Sequence, residues 1–262
     1  MNGRPLILSC FPGIDLWGRA FEEVWPEACL VRGPDLIFGG DIRTWHPPAG
    51  VFDGVIGGPP CQAFSRLRFL VEHNGYRVAE NLIPEFARVI CEAKPAWWLM
   101  ENVPEAPGPF PEHGQRLVVR DDWVGGETRR LRVFWWGGPA PLAIEWPALY
   151  RPDPEPTVCA SGGARPVPVA IGGSGKRKVT ARHVATRKGA SAMGFKTTAY
   201  YRDACRSQGL SGDFLADAPF TVAGKIKVIG NGVPMAMGRA VARAVRRAVN
   251  SCIQGEGDAG AR

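Results

Sequence analysis

Apolar residues in the first half of the chain fall into short continuous runs separated by turn residues. Such runs are typical of strands buried on both faces of a sheet. Two segments between them, 16–25 and 78–93, instead repeat apolar residues every three or four positions, which predicts amphipathic helices. Strands alternating with helices predict an α/β fold with a doubly wound, mostly parallel sheet. The predicted strands lie at 6–9, 28–31, 51–56, 96–100, 117–119 and 131–136.

This regular pattern is lost from about residue 139 to residue 210. Proline and glycine are dense there, so a small irregular insertion without a long helix is predicted. A regular pattern of apolar residues returns near Gly230, and an alanine- and arginine-rich helix is predicted over 235–249. The expected organisation is a main domain over 1–138, the insertion over 139–210, a segment over 211–250 that returns to the main domain, and a disordered tail over 251–262.

Positive charge is concentrated in the same insertion. The whole chain has 32 lysines and arginines against 25 acidic residues. Residues 151–210 hold eleven basic and three acidic residues, which leaves 21 basic and 22 acidic residues elsewhere. A basic segment on a neutral body predicts binding to a polyanion, although a solvated loop region would show the same excess.

Composition excludes several classes of protein. No apolar run approaches the roughly 18 residues that span a bilayer, and no signal peptide is evident, so we expect a cytoplasmic protein without a membrane contact. The seven cysteines are scattered, without a CxxC pair or a Cys/His cluster. Neither a disulfide framework nor a metal site is therefore predicted. A monomer without an obligate protein partner is the default expectation.

A single cysteine stands in a stiff loop after the third predicted strand. The loop reads GGPPCQAFS over 57–65, and its glycines and prolines can hold one side chain in a defined direction. Taken alone, this stretch favours an ordinary strand-to-loop turn that carries a half-buried thiol. Asp15 and Glu101 also follow predicted strands, and parallel sheets place their chemistry at such carboxyl ends.

Together the motifs resemble those of the DNA cytosine-5 methyltransferase family. The order and spacing match from about residue 5 to 250, and the family's variable recognition region falls on the basic insertion. The short insertion is more similar to compact bacteriophage members than to longer restriction-associated ones. The motifs that carry the resemblance are GGPPCQAFS, Glu101-Asn102-Val103, Arg130-Leu131-Arg132, Gln208-Gly209-Leu210 and Gly230-Asn231-Gly232-Val233-Pro234.

The resemblance implies a Rossmann-like class I methyltransferase that transfers a methyl group from S-adenosylmethionine to C5 of a flipped-out cytosine. Cys61 would be the nucleophile that attacks C6, and Glu101 would hydrogen-bond or protonate N3. Arg132 would hold the cytosine O2, and Arg130 an adjacent phosphate. Asn102 is expected to position its neighbours. No metal is implied.

Cofactor residues follow from the same resemblance. Those expected at S-adenosylmethionine are Phe11, Gly13, Asp15, Asp41, Pro59, Asn231 and Val233. The first motif departs from the family's Asp-x-Phe-x-Gly-x-Gly-Gly, because Ser9 replaces the leading acid and Asp15 a glycine. We hypothesise that Asp15 partly replaces that acid, whereas a role as the N-cap of the following helix is at least as plausible. Thr128 and Gly232 also depart from the usual Gln and Ser or Ala, and Asp35 is the nearest candidate for the acid at the ribose.

Double-stranded DNA is the implied partner. Gln62 and Ser65 would contact it beside the nucleophile, and the basic insertion would contact its phosphates with a steep salt dependence. The basic residues expected there are Lys176, Arg177, Lys178, Arg187 and Lys188. Two other functions stay open: a catalytically impaired homologue that binds DNA, and a C5 modification that uses a different one-carbon donor.

Overall fold

A six-stranded sheet forms the centre of the protein, in the order β2-β1-β3-β4-β6-β5. The structure is a computed structural model that describes residues 4–64, 80–110, 112–147 and 198–259. Four adjacent strands from β2 to β4 are parallel, and β6 is antiparallel to both of its neighbours, so the predicted mostly parallel sheet is confirmed. The strands are β1 Leu6–Cys10, β2 Cys29–Arg32, β3 Gly54–Gly57, β4 Trp97–Asn102, β5 Gln115–Arg120 and β6 Leu131–Gly137.

The direction of β6 follows from its connection. The segment 121–130 between β5 and β6 is too short for the crossover that a parallel pair requires, so the chain turns back on itself. The result is a doubly wound sheet with one reversed strand near its edge.

Helices cover both faces of the sheet. Helix α1 (Leu16–Val24) packs against the C-terminal helix α5 (Met235–Ala259) on one face. Helix α2 (Ile83–Ala93) covers the other face. Successive residues of β1 point to opposite faces, with Ile7 in the first core and Leu8 in the second. Both faces of β1 are therefore apolar, as a buried strand requires.

Two further helices lie in the C-terminal part of the chain. Helix α3 (Thr198–Ser207) packs against helix α4 (Val222–Asn231) through a small core that includes Tyr201 and Ile226. The prediction of an irregular region up to residue 210 is thus wrong for α3, whose apolar residues have helical spacing despite the proline- and glycine-rich stretch before them. Helix α4 was not predicted, because its glycines lower helix propensity.

The C-terminal helix is longer than predicted. It continues to Ala259, ten residues beyond the expected end at 249, so the predicted disordered tail begins inside this helix. Glycines at 255 and 257 weaken a helix but do not remove its backbone hydrogen bonds, and no proline ends it. Within the described residues no helix is long and apolar enough to span a bilayer.

Strand register brings three loops to one edge of the sheet. Cys10, Gly57 and Met100 lie side by side at the ends of their pairings, so the residues that follow them emerge together. Gly57 is required here, because a Cβ atom at this position would lie 2.4 Å from the Phe86 ring. The residue that follows in the third strand is Glu101, which lies within β4 rather than just beyond it as predicted.

Candidate active site

A cavity of about 680 Å³ opens at the carboxyl edge of the sheet. The loops after β1, β2 and β3, the end of β4 and helix α4 all contribute to its wall. Parallel α/β sheets bind ligands at this edge, where the strand order changes direction. The predicted site residues that line the cavity are Cys61, Glu101, Arg132, Phe11, Gly13, Asp15, Asp41, Pro59, Asn231, Val233 and Gln62.

The loop that carries Cys61 is tied to the neighbouring strand. Pro60 precedes a short 3₁₀ turn, Cys61–Ala63, which begins directly at the cysteine. The buried Asn102 side chain donates a hydrogen bond from Nδ2 to the Pro59 carbonyl, at 3.1 Å. Asn102 therefore positions the loop, which is the role expected of it. Cys61 itself is half-buried.

Glu101 and Arg132 form a tight ion pair inside the cavity wall. Arg132 Nε lies 2.6 Å from Glu101 Oε1, and the two side chains are only 15% and 11% exposed. Gly58 borders the carboxylate closely, since a Cβ atom there would lie 3.1 Å from Glu101 Oε2. The pairing holds the carboxylate and the guanidinium at one wall, beside the Cys61 loop.

The electrostatic surroundings of Cys61 oppose its ionisation in the free protein. Burial raises the pKa of the thiol above its ordinary value, and the negative charge of Glu101 raises it further. The positive charges of Arg132 and Arg130 act in the opposite direction without overcoming burial. The reactive thiolate is therefore a minor species at neutral pH.

Arg130 lies deeper than predicted. It is only 3% exposed and is not among the residues that line the cavity, which argues against the expected phosphate contact. The positive charge of Arg130 acts on the fully buried Asp121. Burial raises the pKa of Asp121 above its ordinary value, and the hydrogen bonds from Thr128 and the charge of Arg130 reduce this increase. Thr128 donates to Asp121 Oδ2 from its hydroxyl at 2.8 Å and from its backbone N–H at 3.0 Å. The threonine that departs from the family pattern thus holds a buried acid beside Arg130.

Three residues in the loop after β1 have a left-handed backbone. Phe11, Gly13 and Asp15 have φ values of 54°, 54° and 52°, and only the middle one is a glycine. Such conformations cost non-glycine residues about 1–3 kcal/mol each and cluster at functional sites. Asp35, after β2, accepts a hydrogen bond from the Gly13 N–H at 2.8 Å, which fastens this loop to the next one.

Asp15 caps helix α1, and its carboxylate lies beside the position of the missing acid. Oδ1 accepts hydrogen bonds from the Gly18 N–H at 3.0 Å and the Ser9 hydroxyl at 3.1 Å. Oδ2 lies 2.8 Å from Arg32 Nε. The capping role is confirmed, and the contact with Ser9 brings the carboxylate next to the position of the family's leading acid. Binding of the cofactor by Asp15 stays a prediction.

Replacement of Asp15 by asparagine separates the two roles. Asparagine also caps helices and tolerates a left-handed backbone, so unfolding free energy is expected to fall by less than about 1 kcal/mol. Loss of the negative charge is expected to weaken S-adenosylmethionine binding about 10-fold, measured by calorimetry. Asp15→Ala, which removes cap and charge together, is the control and is expected to cost about 1–2 kcal/mol of stability. Unchanged affinity in Asp15→Asn would leave the cap as the sole role.

Asp41 is held by an adjacent arginine. It caps the short 3₁₀ turn Ile42–Thr44, and both of its oxygens contact Arg43, whose Nη1 also contacts Glu80. Hydrogen bonds from Arg43 lower the pKa of Asp41 to about 2. The carboxylate is therefore ionised at neutral pH, as an acceptor for an adenine amino group would be.

Two departures from the family pattern compensate for each other. A Cβ atom at Gly232 would lie 2.5 Å from Leu16 Cδ1, so the small residue is required by the large one opposite. Leu16 stands at the last position of the first motif, where the family has glycine. The chain thus has a large residue at the start of helix α1 and a glycine opposite it, next to Asn231 and Val233, which line the cavity.

The predicted DNA contacts are only partly described. Gln62 is exposed and lines the cavity beside Cys61. Ser65 and the basic residues Lys176, Arg177, Lys178, Arg187 and Lys188 lie outside the described residues. Across the described ranges, no group of three or more His, Cys, Asp or Glu side chains is arranged to hold a metal ion.

Comparisons with known proteins agree with the motifs. Residues 39–110, which include Cys61 and Glu101, match the family model of the C-5 cytosine-specific DNA methylases. The Type II methyltransferase M.SacI of Streptomyces achromogenes is 43% identical over 71 residues, which are 26% of this chain and 17% of that protein. The Type II methyltransferase M.HgiGI of Herpetosiphon aurantiacus is 38% identical over 65 residues, 25% of this chain and 45% of that protein. These matches span less than half the length of either relative.

A solved structure supports the fold. The Entamoeba histolytica methyltransferase EhMeth superposes with a TM-score of 0.57 at 11% identity, over 96% of this chain and 99% of that one. At this identity the likeness concerns the fold alone. The segment that matches the family model carries the Cys61 loop and the Glu101-Asn102-Val103 motif at the carboxyl edge of the sheet. Over residues 39–110 the chain is thus similar to the C-5 cytosine-specific DNA methylases, and the solved structure extends the likeness of fold to the rest of the chain.

Proposed function

We propose that the protein is a DNA cytosine-5 methyltransferase that uses S-adenosylmethionine. The observation that carries the proposal is that Cys61, the Glu101–Arg132 ion pair and the predicted cofactor loops line one cavity. Methyl transfer to C5 of cytosine needs a nucleophile, an acid and a ligand pocket of this size in one place.

The residues present fit the cofactor. Gly13 leaves open space beside the backbone, since a Cβ atom there would meet only Ile37 at 4.0 Å. The cavity volume suits a nucleoside that carries an amino acid. Asp35 and Asp41 would face the ribose and the adenine, and Asn231 and Val233 the methionine part. When bound, S-adenosylmethionine supplies an electrophilic methyl group to C5 of the cytosine.

Covalent activation of cytosine is the role of Cys61. Its thiolate forms a bond to C6, and the displaced electron pair moves through the ring towards N3. Glu101 supplies a proton to N3, and Arg132 stabilises the charge that grows on O2. After the methyl transfer, loss of the C5 proton to water allows the C6–S bond to break and returns the N3 proton to Glu101.

The two proton positions are coupled through charge. The negative charge of Glu101 raises the pKa of Cys61, so a protonated Glu101 favours the thiolate. The proton that Glu101 donates is taken up by N3 as the thiolate adds to C6, so that the two groups act in the same step.

Alkylation of Cys61 is expected to report this arrangement. Because its pKa is raised, the rate of carboxamidomethylation in the free protein should be low at neutral pH and should increase as pH rises beyond the thiol's ordinary pKa. Peptide mass spectrometry measures the rate, with the exposed Cys91 as an internal reference for the reagent. A Cys61 that is fully reactive at pH 6 would contradict the electrostatic account.

The target cytosine must leave the duplex, since Cys61 cannot reach C6 inside a base stack. Flipping costs a few kcal/mol, which contacts to the DNA backbone must offset. We assign those contacts to Gln62, Ser65 and the basic residues of the insertion. Binding to double-stranded DNA should then weaken steeply with salt.

Methylation in a host cell tests the proposed function. DNA from cells that express the full chain should contain 5-methylcytosine by nucleoside mass spectrometry, and bisulfite sequencing should place it in a defined sequence context. A different mass increment would identify another one-carbon donor. Unmodified DNA together with retained DNA binding would identify an impaired homologue.

A further inference from the structure

We infer that Lys227 of helix α4 binds the carboxylate of the cofactor's methionine moiety. The inference rests on the proposed function, because it assigns a ligand group to a side chain of the proposed cofactor cavity. The assignment of Lys227 rests on the charges and the geometry of the cavity wall. It does not depend on any of the sequence motifs.

Helix α4 presents one face to the cavity. Gly224, Lys227, Val228 and Asn231 all line it, and their spacing of three or four residues places them on the same side of a helix. Four residues separate Lys227 from Asn231, which is about 6 Å along the helix axis. Lys227 therefore lies about one turn before the residue expected at the methionine part, and its flexible four-carbon stem gives the ammonium group reach along this wall.

The acids of the cavity already have partners. Asp15 pairs with Arg32, Asp41 and Glu80 with Arg43, and Glu101 with Arg132. The two oxygens of Asp35 accept hydrogen bonds from the backbone N–H groups of Gly13 and Ile37.

Lys227 is the exception among the charged side chains of this wall. Within the described residues no carboxylate lies within ion-pair distance of its ammonium group, and the side chain is exposed to the cavity. A cation in a ligand cavity without an acidic partner is suited to an anionic ligand group. The carboxylate is the anionic group of S-adenosylmethionine.

The nearby Lys225 shows the contrast. Its ammonium group donates to the Ala216 carbonyl at 2.6 Å and lies over the Tyr201 ring at 5.9 Å, so it serves the fold of this region. Lys225 and Lys227 of the same helix therefore provide a matched pair, in which Lys227 lines the cavity and Lys225 contacts the protein itself.

The test compares two nucleosides by calorimetry, with the full-length protein. S-adenosylhomocysteine carries the carboxylate, whereas 5′-methylthioadenosine lacks the whole amino-acid end. Lys227→Met should weaken S-adenosylhomocysteine binding about 10- to 100-fold, the usual range for a hydrogen bond to a charged group. Binding of 5′-methylthioadenosine should change less than about 2-fold, and Lys225→Met should affect neither ligand beyond that margin.

Other outcomes overturn the inference. Equal weakening of both nucleosides by Lys227→Met would indicate a structural role, and an unchanged affinity for S-adenosylhomocysteine would exclude the contact. Unchanged nucleoside binding with weaker DNA binding and a lower salt slope would assign Lys227 to a phosphate. These results leave the proposed function standing, whereas wild-type protein that binds neither nucleoside would contradict the proposed cofactor itself.

Discussion

Replacement of Cys61 by alanine is expected to reduce methyl transfer to DNA by about 10⁴-fold or more, because the covalent route to an activated cytosine is lost. The side chain is small and partly exposed, so the fold and the cofactor cavity should persist. Methyl transfer from labelled S-adenosylmethionine to duplex DNA measures the rate.

A covalent trap distinguishes loss of the nucleophile from loss of structure. DNA that contains 5-fluorocytosine cannot lose a proton from C5, so wild-type protein should remain attached to it in denaturing gels. Cys61→Ala should form no such complex, whereas Cys91→Ala, at an exposed cysteine remote from the cavity, should behave as wild type. A trapped complex in Cys61→Ala would assign the nucleophile to another residue.

Substitution of Glu101 by glutamine is expected to slow methyl transfer by about 10²- to 10⁴-fold, since general acid catalysis at N3 is lost while the shape of the side chain is kept. The amide oxygen can still accept a hydrogen bond from Arg132, so the wall should hold its form. Glu105→Gln, at an exposed glutamate in the following loop, is the matched control and should retain activity.

Thiol reactivity provides a second readout for Glu101. The carboxylate raises the pKa of Cys61, so its neutralisation should lower that pKa and move the alkylation profile of Cys61 to lower pH. A substitution that merely loosened the fold would change the reactivity of buried cysteines such as Cys205 as well. An unchanged Cys61 profile would contradict the proposed coupling between the two groups.

Local sequence patterns were sufficient to predict the central sheet of this protein. Apolar runs bounded by turn residues identified the six strands of the sheet, including the edge strands β2 and β5, which are only partly buried. The carboxyl ends of those strands then located Cys61 and Glu101 at one edge of the sheet. Helices α3 and α4 were missed, because their stability comes from packing against each other rather than from strong local propensity.

Contacts between residues that are far apart in the chain could not be predicted from local sequence patterns. Leu16 and Gly232 are 216 positions apart, and the reason why each departs from its motif is visible only in the folded chain, where the two residues meet. Thr128 likewise makes sense only beside the buried Asp121. When its own motif is considered alone, each of these residues is an unexplained departure from the usual residue.

The order of residues in the chain thus predicted the class of fold and the strand ends that carry Cys61 and Glu101, because these depend on periodicity and turn chemistry, and short motifs indicated the similarity to the C-5 cytosine-specific DNA methylases. Tertiary structure decided which charges are neutralised around the cavity. Arg32 engages Asp15, Arg132 engages Glu101, and Lys227 lacks such a partner among the described residues. Electrostatic pairing depends on distances between side chains that folding brings together from remote parts of the chain, and no local pattern encodes those distances.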